Sequence, residues 1–137
     1  MNELFTALLG GAVYLSGYPT PTAMPAIQQV THQKIVDGVC GGHECSAFAY
    51  YKHGVLYLDN RLNPQDNLYH ASIVVHELVH YLQDVKKPLG DHPQCAELLH
   101  REYEAYGVQS AYLTLYGRYQ PVGLSMHTAG CEREAKQ

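Results

Sequence analysis

Two histidines and a glutamate, His76, Glu77 and His80, are the residues of this chain whose types and spacing best suit them to chemistry. They stand in the segment VVHELVHYLQ (residues 74–83). Positions i and i+4 lie on one face of a helix, so both imidazoles can be directed at a single metal ion. Glu77 then flanks the ion, where a carboxylate can take a proton from activated water. The spacing predicts a zinc-binding helix with His76 and His80 as ligands and Glu77 as the general base.

The chain contains nine histidines, so this motif has to be weighed against coincidence. With eight glutamates present, an H-E-x-x-H arrangement would arise by chance about 0.03 times. The neighbouring side chains are apolar and place the helix in the core: Ile73, Val74, Val75, Leu78, Val79 and Leu82. Buried polar groups without partners are costly, and a metal ion compensates for that cost. Zinc ligation is therefore favoured over histidines that are merely hydrogen-bonded in a core.

A catalytic zinc site usually has three protein ligands, so a third ligand is expected downstream of the motif. The metzincin pattern would place glycine and histidine where this chain has Gln83 and Lys86, which excludes that arrangement. The remaining candidates are His92, Glu97, His100, Glu102 and Glu104.

Helical phase selects between the two central glutamates. One face of the following helix is predominantly apolar and is expected to pack on the zinc-binding helix: Cys95, Leu98, Leu99, Glu102, Ala105, Tyr106, Gln109, Tyr112 and Leu113. Glu102 lies at the centre of this face, whereas Glu104 lies on the opposite, charged side. The pattern predicts Glu102 as the third ligand and Glu104 as a solvated residue.

The elements that must position these residues can be read from caps, breakers and periodicity. The expected order is a helix over residues 3–16, a strand over 26–37, a hairpin over 46–62 that turns at His53-Gly54, a helix over 68–85 and a second long helix over 93–116. Strands grouped before two long helices predict an α+β fold. The length of 137 residues predicts one domain spanning residues 1–137.

Composition excludes several classes of function. The net charge is −4 and no block of Lys or Arg occurs, which argues against nucleic-acid and anionic-membrane partners. The apolar stretch LFTALLGGAVYLSG (residues 4–17) is too short to span a bilayer. MNELF lacks the positive charge of a signal peptide, so the protein is expected either in the cytoplasm or with a leader already removed. We expect a monomer.

Four cysteines bear on the compartment: Cys40, Cys45, Cys95 and Cys131. An even number allows two disulfides, which would indicate an extracytoplasmic location, and three pairings are possible. The segment CGGHEC (residues 40–45) is compatible with a local Cys40–Cys45 disulfide, with two free thiols, or with a metal knuckle that includes His43. A zinc knuckle would need a fourth ligand, and no second C-x-x-C lies nearby.

The motifs together resemble a known family. HELVH followed by REYEAYGVQ (residues 101–109) resembles the gluzincins, zinc peptidases whose third ligand is a glutamate on a second helix. In their E-x-x-A-[D/N] signature the first glutamate binds zinc, and here that residue is Glu102. The signature's last position is Tyr106 in this chain, and Gln109 is a candidate for the supporting role. Residues 26–115 are also similar to small bacterial zincin-like metallopeptidases of unknown function.

The resemblance implies a minimal zincin-like fold with an active-site helix over about residues 67–86 and a glutamate helix over 93–116. It also implies that the strand GVLYLD (residues 54–59) lies at the cleft with a free edge, on which an extended substrate pairs. The expected function is zinc-dependent hydrolysis of peptide or protein substrates, with Zn²⁺ held by His76, His80 and Glu102. A zinc-binding module without turnover is the alternative. Candidate donors to the oxyanion are Tyr106, Tyr112, His53 and His127.

Overall fold

The computed structural model describes residues 2–124 and Cys131. Its elements are α1 (Asn2–Ser16), β1 (Ala26–Val30), α2 (His32–Val39), β2 (Ala49–Lys52), β3 (Val55–Asp59), α3 (Leu68–Lys86) and α4 (Cys95–Leu115). A small mixed sheet and separate helices confirm the α+β class. Within the described residues, no helix combines the length and the apolar character needed to cross a bilayer.

The sheet has the order β1-β3-β2. β2 and β3 form the predicted hairpin, and both turn residues, His53 and Gly54, have positive φ angles of 49° and 84°. β1 pairs in parallel with β3, from Ala26 opposite Val55 onwards. Both edges of β3 are therefore paired. The expectation that residues 54–59 have a free edge is wrong, because a strand from earlier in the chain occupies that edge.

The strand expected over residues 26–37 is also shorter than predicted. β1 ends at Val30, and Thr31 caps α2 by accepting a hydrogen bond from the Lys34 amide. The cap supplies an acceptor for the Lys34 backbone amide in the first helical turn. This favours a helix that starts after Thr31 over a longer strand. Ile35 and Val36 are then buried on the side of α2 that faces the sheet.

α3 is the central helix of the fold, since it contacts α1, α4 and the sheet. The Asn67 side chain caps its start by accepting from the His70 amide, and Lys86 lies in its last turn. Several sides of this helix carry buried apolar residues: Ala71, Val74, Val75, Leu78, Val79 and Leu82. The predicted bounds of 67–86 agree with the observed helix to within one residue.

α4 packs along α3, but only part of its predicted apolar face is buried. Ala105, Tyr112 and Leu113 are in or beside the core, whereas Leu98 is 42% exposed. The expectation that the whole face packs on α3 is therefore wrong for the first turns of α4, which border an open cleft.

Two disulfides join the four cysteines. Cys40–Cys45 closes the short loop after α2. Of the three interpretations of the segment CGGHEC, the local disulfide is the one observed. Cys95–Cys131 ties the first residue of α4 to the chain that follows the helix.

Candidate metal centre

α3 and α4 bring three potential ligands together. His76 and His80 are one helical turn apart on α3, and Glu102 faces them from α4. The Oε1 atom of Glu102 lies 3.1 Å from Nε2 of His76 and also contacts Nε2 of His80. One ligand atom from each residue lies within 4.8 Å of the others, so the group can hold a metal ion.

His76 is held on its other side by Gln109. The Ser72 hydroxyl donates to the Tyr69 carbonyl at 2.6 Å, so its oxygen must accept from the Gln109 amide nitrogen, 3.1 Å away. This places the amide oxygen of Gln109 against Nδ1 of His76, at 3.1 Å. A carbonyl oxygen only accepts, so Nδ1 carries the proton and Nε2 of the neutral ring is left with its lone pair. The network thus fixes the metal-binding tautomer of His76.

His80 is held in the same way by Gln83. The amide nitrogen of Gln83 donates to the carbonyl of Arg101 and to the carboxylate of Glu104, both at 2.9 Å. Since both partners are acceptors, the amide cannot be flipped, and its oxygen lies 2.8 Å from Nδ1 of His80. Gln83 is 3% exposed. His80 is therefore also held with its Nε2 lone pair directed at Glu102.

When both rings are neutral, three electron-pair donors therefore converge on one point with no hydrogen between them. Such a group attracts a positive charge. Burial lowers the pKa of His80, but its hydrogen bond to Glu102 and the charges of Glu77 and Glu102 outweigh burial and raise that pKa to about 9. Burial likewise raises the pKa of Glu102, yet the hydrogen bonds that both histidines donate when they are protonated bring it well below its usual range. A proton and a metal ion therefore compete for this position.

Glu104 does not behave as predicted from the sequence. It accepts hydrogen bonds from Gln83 and from the Tyr18 hydroxyl, which belongs to the segment after α1. Burial and the bond to Glu104 raise the pKa of Tyr18 to about 12, so the phenol remains the donor. The expectation of a solvated Glu104 is wrong, because Tyr18, 86 residues away in the chain, covers this side of α4.

A cleft of about 710 Å³ opens beside the three residues. One wall is the strand β2, and Glu77 lines the cleft next to His76 with 9% of its surface exposed. The opposite wall includes Leu98 and Arg101 of α4. An extended molecule entering between β2 and α4 would thus pass both the convergent donors and a carboxylate that is not part of them.

The candidate oxyanion donors occupy different places. His53 lines the cleft at the tip of the hairpin. The Tyr106 ring packs on His76, with 4.4 Å between centroids, but Tyr106 does not line the cleft. Tyr112 packs against Gly11 of α1. His127 lies outside the described residues.

Other candidate ligands lie apart from the group. His92 and His100 are exposed, and Glu97 pairs with Arg101. The role of Gln83 was not predicted from the sequence, where this residue only excluded the metzincin pattern. Gln83 follows His80 by three residues, and on a helix this spacing indicates a partner for the His80 imidazole. Gln109, proposed from its position on α4, does contact His76.

Comparison with known protein families, with curated proteins and with solved structures found no significant match to this chain, so the interpretation of the site rests on its own geometry.

Proposed function

We propose that this protein is a zinc-dependent peptidase of the gluzincin type, with His76, His80 and Glu102 as ligands and Glu77 as general base. The observation that carries the proposal is the convergence of two tautomer-fixed imidazoles and one carboxylate beside an open cleft. A chance pair of core histidines would not need two buried glutamines to orient both rings the same way.

The donor set is the reason for naming zinc. Two imidazole nitrogens and one carboxylate oxygen are the protein ligands of zinc in thermolysin-like catalytic sites, where one further position stays open. When bound, zinc supplies Lewis acidity, which lowers the pKa of water and polarises a peptide carbonyl. A site built only from oxygen ligands would instead favour magnesium or calcium.

Glu77 has the position that a general base requires. It follows His76 on α3 and lines the cleft. Its carboxylate accepts the proton of the attacking water and returns it to the amine that leaves when the peptide bond breaks. The ligand histidines cannot do this, because their Nδ1 protons are bound to Gln83 and Gln109.

Among the described residues no strand pairs with the outer edge of β2, which borders the cleft, and such an edge favours a peptide as substrate. The Phe48 carbonyl accepts from the Asp59 amide, and hydrogen bonding alternates along an antiparallel pair. The backbone groups of Ala49 and Tyr51 therefore point away from β3, towards the open edge of β2. An extended peptide can pair there by strand addition and lie along the cleft. The edge expected on residues 54–59 is thus replaced by the edge of β2.

The two disulfides support an oxidising compartment, so we propose that the protein acts outside the cytoplasm. Thiol counting on denatured protein from its native source tests this. Free thiols on all four cysteines would contradict it.

The central experiment compares the wild type with Glu77→Gln after reconstitution with zinc. We expect one zinc per chain in both proteins by elemental analysis, and hydrolysis of a peptide library that falls about 10²–10⁴-fold in the variant. Glu3→Gln, a change of the same type on an exposed residue of α1, is the control.

A protein without stoichiometric zinc would contradict the metal assignment. Zinc binding without hydrolysis of any peptide would favour the binding module, and full activity in Glu77→Gln would assign the base to another residue.

A further inference from the structure

A second cavity, of about 350 Å³, lies on the other side of the strand edge that borders the cleft. It shares Tyr50, Lys52 and His53 with the cleft and adds residues of α2 and β3, among them Lys34 and Tyr57. The two cavities thus adjoin each other along β2.

Side chains of β2 alternate between the two faces of the sheet. Ala49 and Tyr51 face α3 and pack against the core, whereas Tyr50 and Lys52 face α2. A peptide paired with the β2 edge has the same alternation. Every second side chain of that peptide would therefore lie beside Tyr50 or Lys52, on the face that the second cavity occupies.

The floor of the second cavity is aromatic and held in place. The rings of Tyr50 and Tyr57 stack with centroids 4.6 Å apart and an interplanar angle of 18°. α2 approaches closely at Gly38, where a Cβ atom would lie 2.5 Å from the Tyr50 ring. Any larger residue at this position would displace the ring, so glycine is what allows this floor to form.

The charges around this floor are mostly positive. The Lys34 ammonium lies 5.6 Å from the centroid of the Tyr57 ring, and Lys52 extends from the strand edge. Asp37 is the acidic residue of the lining, and its carboxylate accepts from Gln33 on the outer side of α2. Two ammonium groups against one hydrogen-bonded carboxylate favour an anionic ligand.

We propose that this cavity is a subsite for an aspartate or glutamate side chain of an extended peptide bound along β2. Its carboxylate pairs with Lys34 and Lys52, and its methylene groups lie on the Tyr50–Tyr57 stack. The inference rests on the proposed peptidase function, which it extends to a preference for acidic residues at one position relative to the cleaved bond.

Lys34 is the residue to change, because it lines the second cavity and not the cleft. Zinc-loaded wild type is incubated with a mixed peptide library, and the cleaved products are sequenced. We expect Asp and Glu to be enriched at one fixed position. Lys34→Gln should weaken this enrichment, by up to about fivefold for an exposed pair, and Lys34→Glu should reverse it towards Lys and Arg. Arg118→Glu, which makes the same change in net charge outside both cavities, should leave it unchanged.

Binding supplies a readout that does not depend on turnover. Zinc-loaded Glu77→Gln is titrated with pairs of extended peptides that differ only by Glu or Gln, and the varied position is moved along the peptide from one pair to the next. At one of these positions we expect tighter binding of the Glu peptide at low salt and a smaller difference at high salt.

Cleavage or binding without any acidic preference overturns the subsite and leaves the peptidase proposal standing. A library left intact by zinc-loaded protein, with no binding of any of these peptides, overturns both. A preference that survives Lys34→Glu unchanged also overturns the subsite.

Discussion

Two clusters of histidine and carboxylate groups can be compared within the described residues, and they differ in what supplies the positive charge. In the first, His76, His80 and Glu102 face one another, and no Lys or Arg among the described residues pairs with Glu102. In the second, both ring nitrogens of His32 face carboxylates, with Nδ1 2.7 Å from Asp59 and Nε2 2.8 Å from Glu44. Residue types alone would not tell the two clusters apart.

Arg61 makes the second cluster unsuitable for a metal ion. Its backbone amide and its guanidinium donate to both oxygens of Asp59, at 2.9 to 3.1 Å. Hydrogen bonding from Arg61 is the main reason that the pKa of Asp59 is lowered to about 2. The charge that this buried carboxylate requires is therefore already supplied by the protein. In the first cluster the acceptors behind both imidazoles are the oxygens of neutral amides, so the positive charge must come from outside.

Removing a ligand should have the largest effect. His76→Ala or His80→Ala leaves two ligands around the ion and should abolish stoichiometric zinc binding, and Glu102→Ala should weaken it sharply, since a structural or catalytic zinc requires at least three protein ligands. His32→Ala is the matched control from the second cluster and should retain full zinc content. Zinc titration with a competing chelator measures all four. Equal loss of zinc in His32→Ala would show that the second cluster is also a metal site.

The next largest effect on zinc binding is expected from the two glutamines that accept hydrogen bonds from His76 and His80. Gln83→Ala and Gln109→Ala remove the acceptors that fix the imidazole tautomers, and we expect zinc affinity to fall about 10–100-fold in each. Gln65→Ala, an exposed change of the same type, should have no effect. Nitrogen-15 NMR of the imidazoles in metal-free protein, at a pH above the raised pKa of His80, checks the cause independently, because the Nδ1-protonated neutral form should lose its dominance in the variants. Unchanged spectra would mean that the glutamines do not set the tautomers.

The sequence was sufficient for the parts of this site that are local. The i, i+4 spacing of His76 and His80 and the helical phase of Glu102 depend on one helix each, so periodicity predicts which face each side chain occupies. The hairpin at His53-Gly54 is local in the same sense, because a two-residue turn with positive φ angles fixes its register.

What the sequence did not predict depends on contacts between distant segments. β1 pairs with β3, which makes β2 the free edge at the cleft, and nothing within the hairpin itself specifies that neighbour. Tyr18 covers Glu104 from the far end of α1, so an apparently exposed glutamate becomes part of the network behind His80. The helix α2 had a local signal in the Thr31 cap, which the β-prone residues on either side concealed.

Glu104 gives a test of that non-local contact. Glu104→Ala leaves the Tyr18 hydroxyl and one Gln83 amide hydrogen without their acceptor, so we expect the free energy of unfolding to fall by about 1–2 kcal/mol. Tyr18→Phe should lose part of the same energy, and the double variant should lose less than the sum of the two. Chemical denaturation of the four proteins measures this coupling. Additive losses would show that Tyr18 does not cover Glu104 in solution.

The smallest expected effect comes from the second cluster and depends on pH. Hydrogen bonds to Glu44 and Asp59 raise the pKa of His32, although the charge of Arg61 opposes them. A raised pKa means that protonated His32 stabilises the fold fully below its unfolded value of about 6.5 and loses this contribution as pH rises through the folded pKa. Asp59, with its lowered pKa, contributes above about pH 4 and loses its contribution as pH falls towards 2.

His32→Gln should therefore lower the Tm relative to the wild type at pH 5.5, and the difference should shrink at pH 9. Both proteins contain the same metal site, so the difference between them isolates the second cluster, and His100→Gln on the exposed side of α4 should show no such pH dependence. A Tm difference that is constant from pH 5.5 to 9 would mean that the charge of His32 does not hold this cluster together.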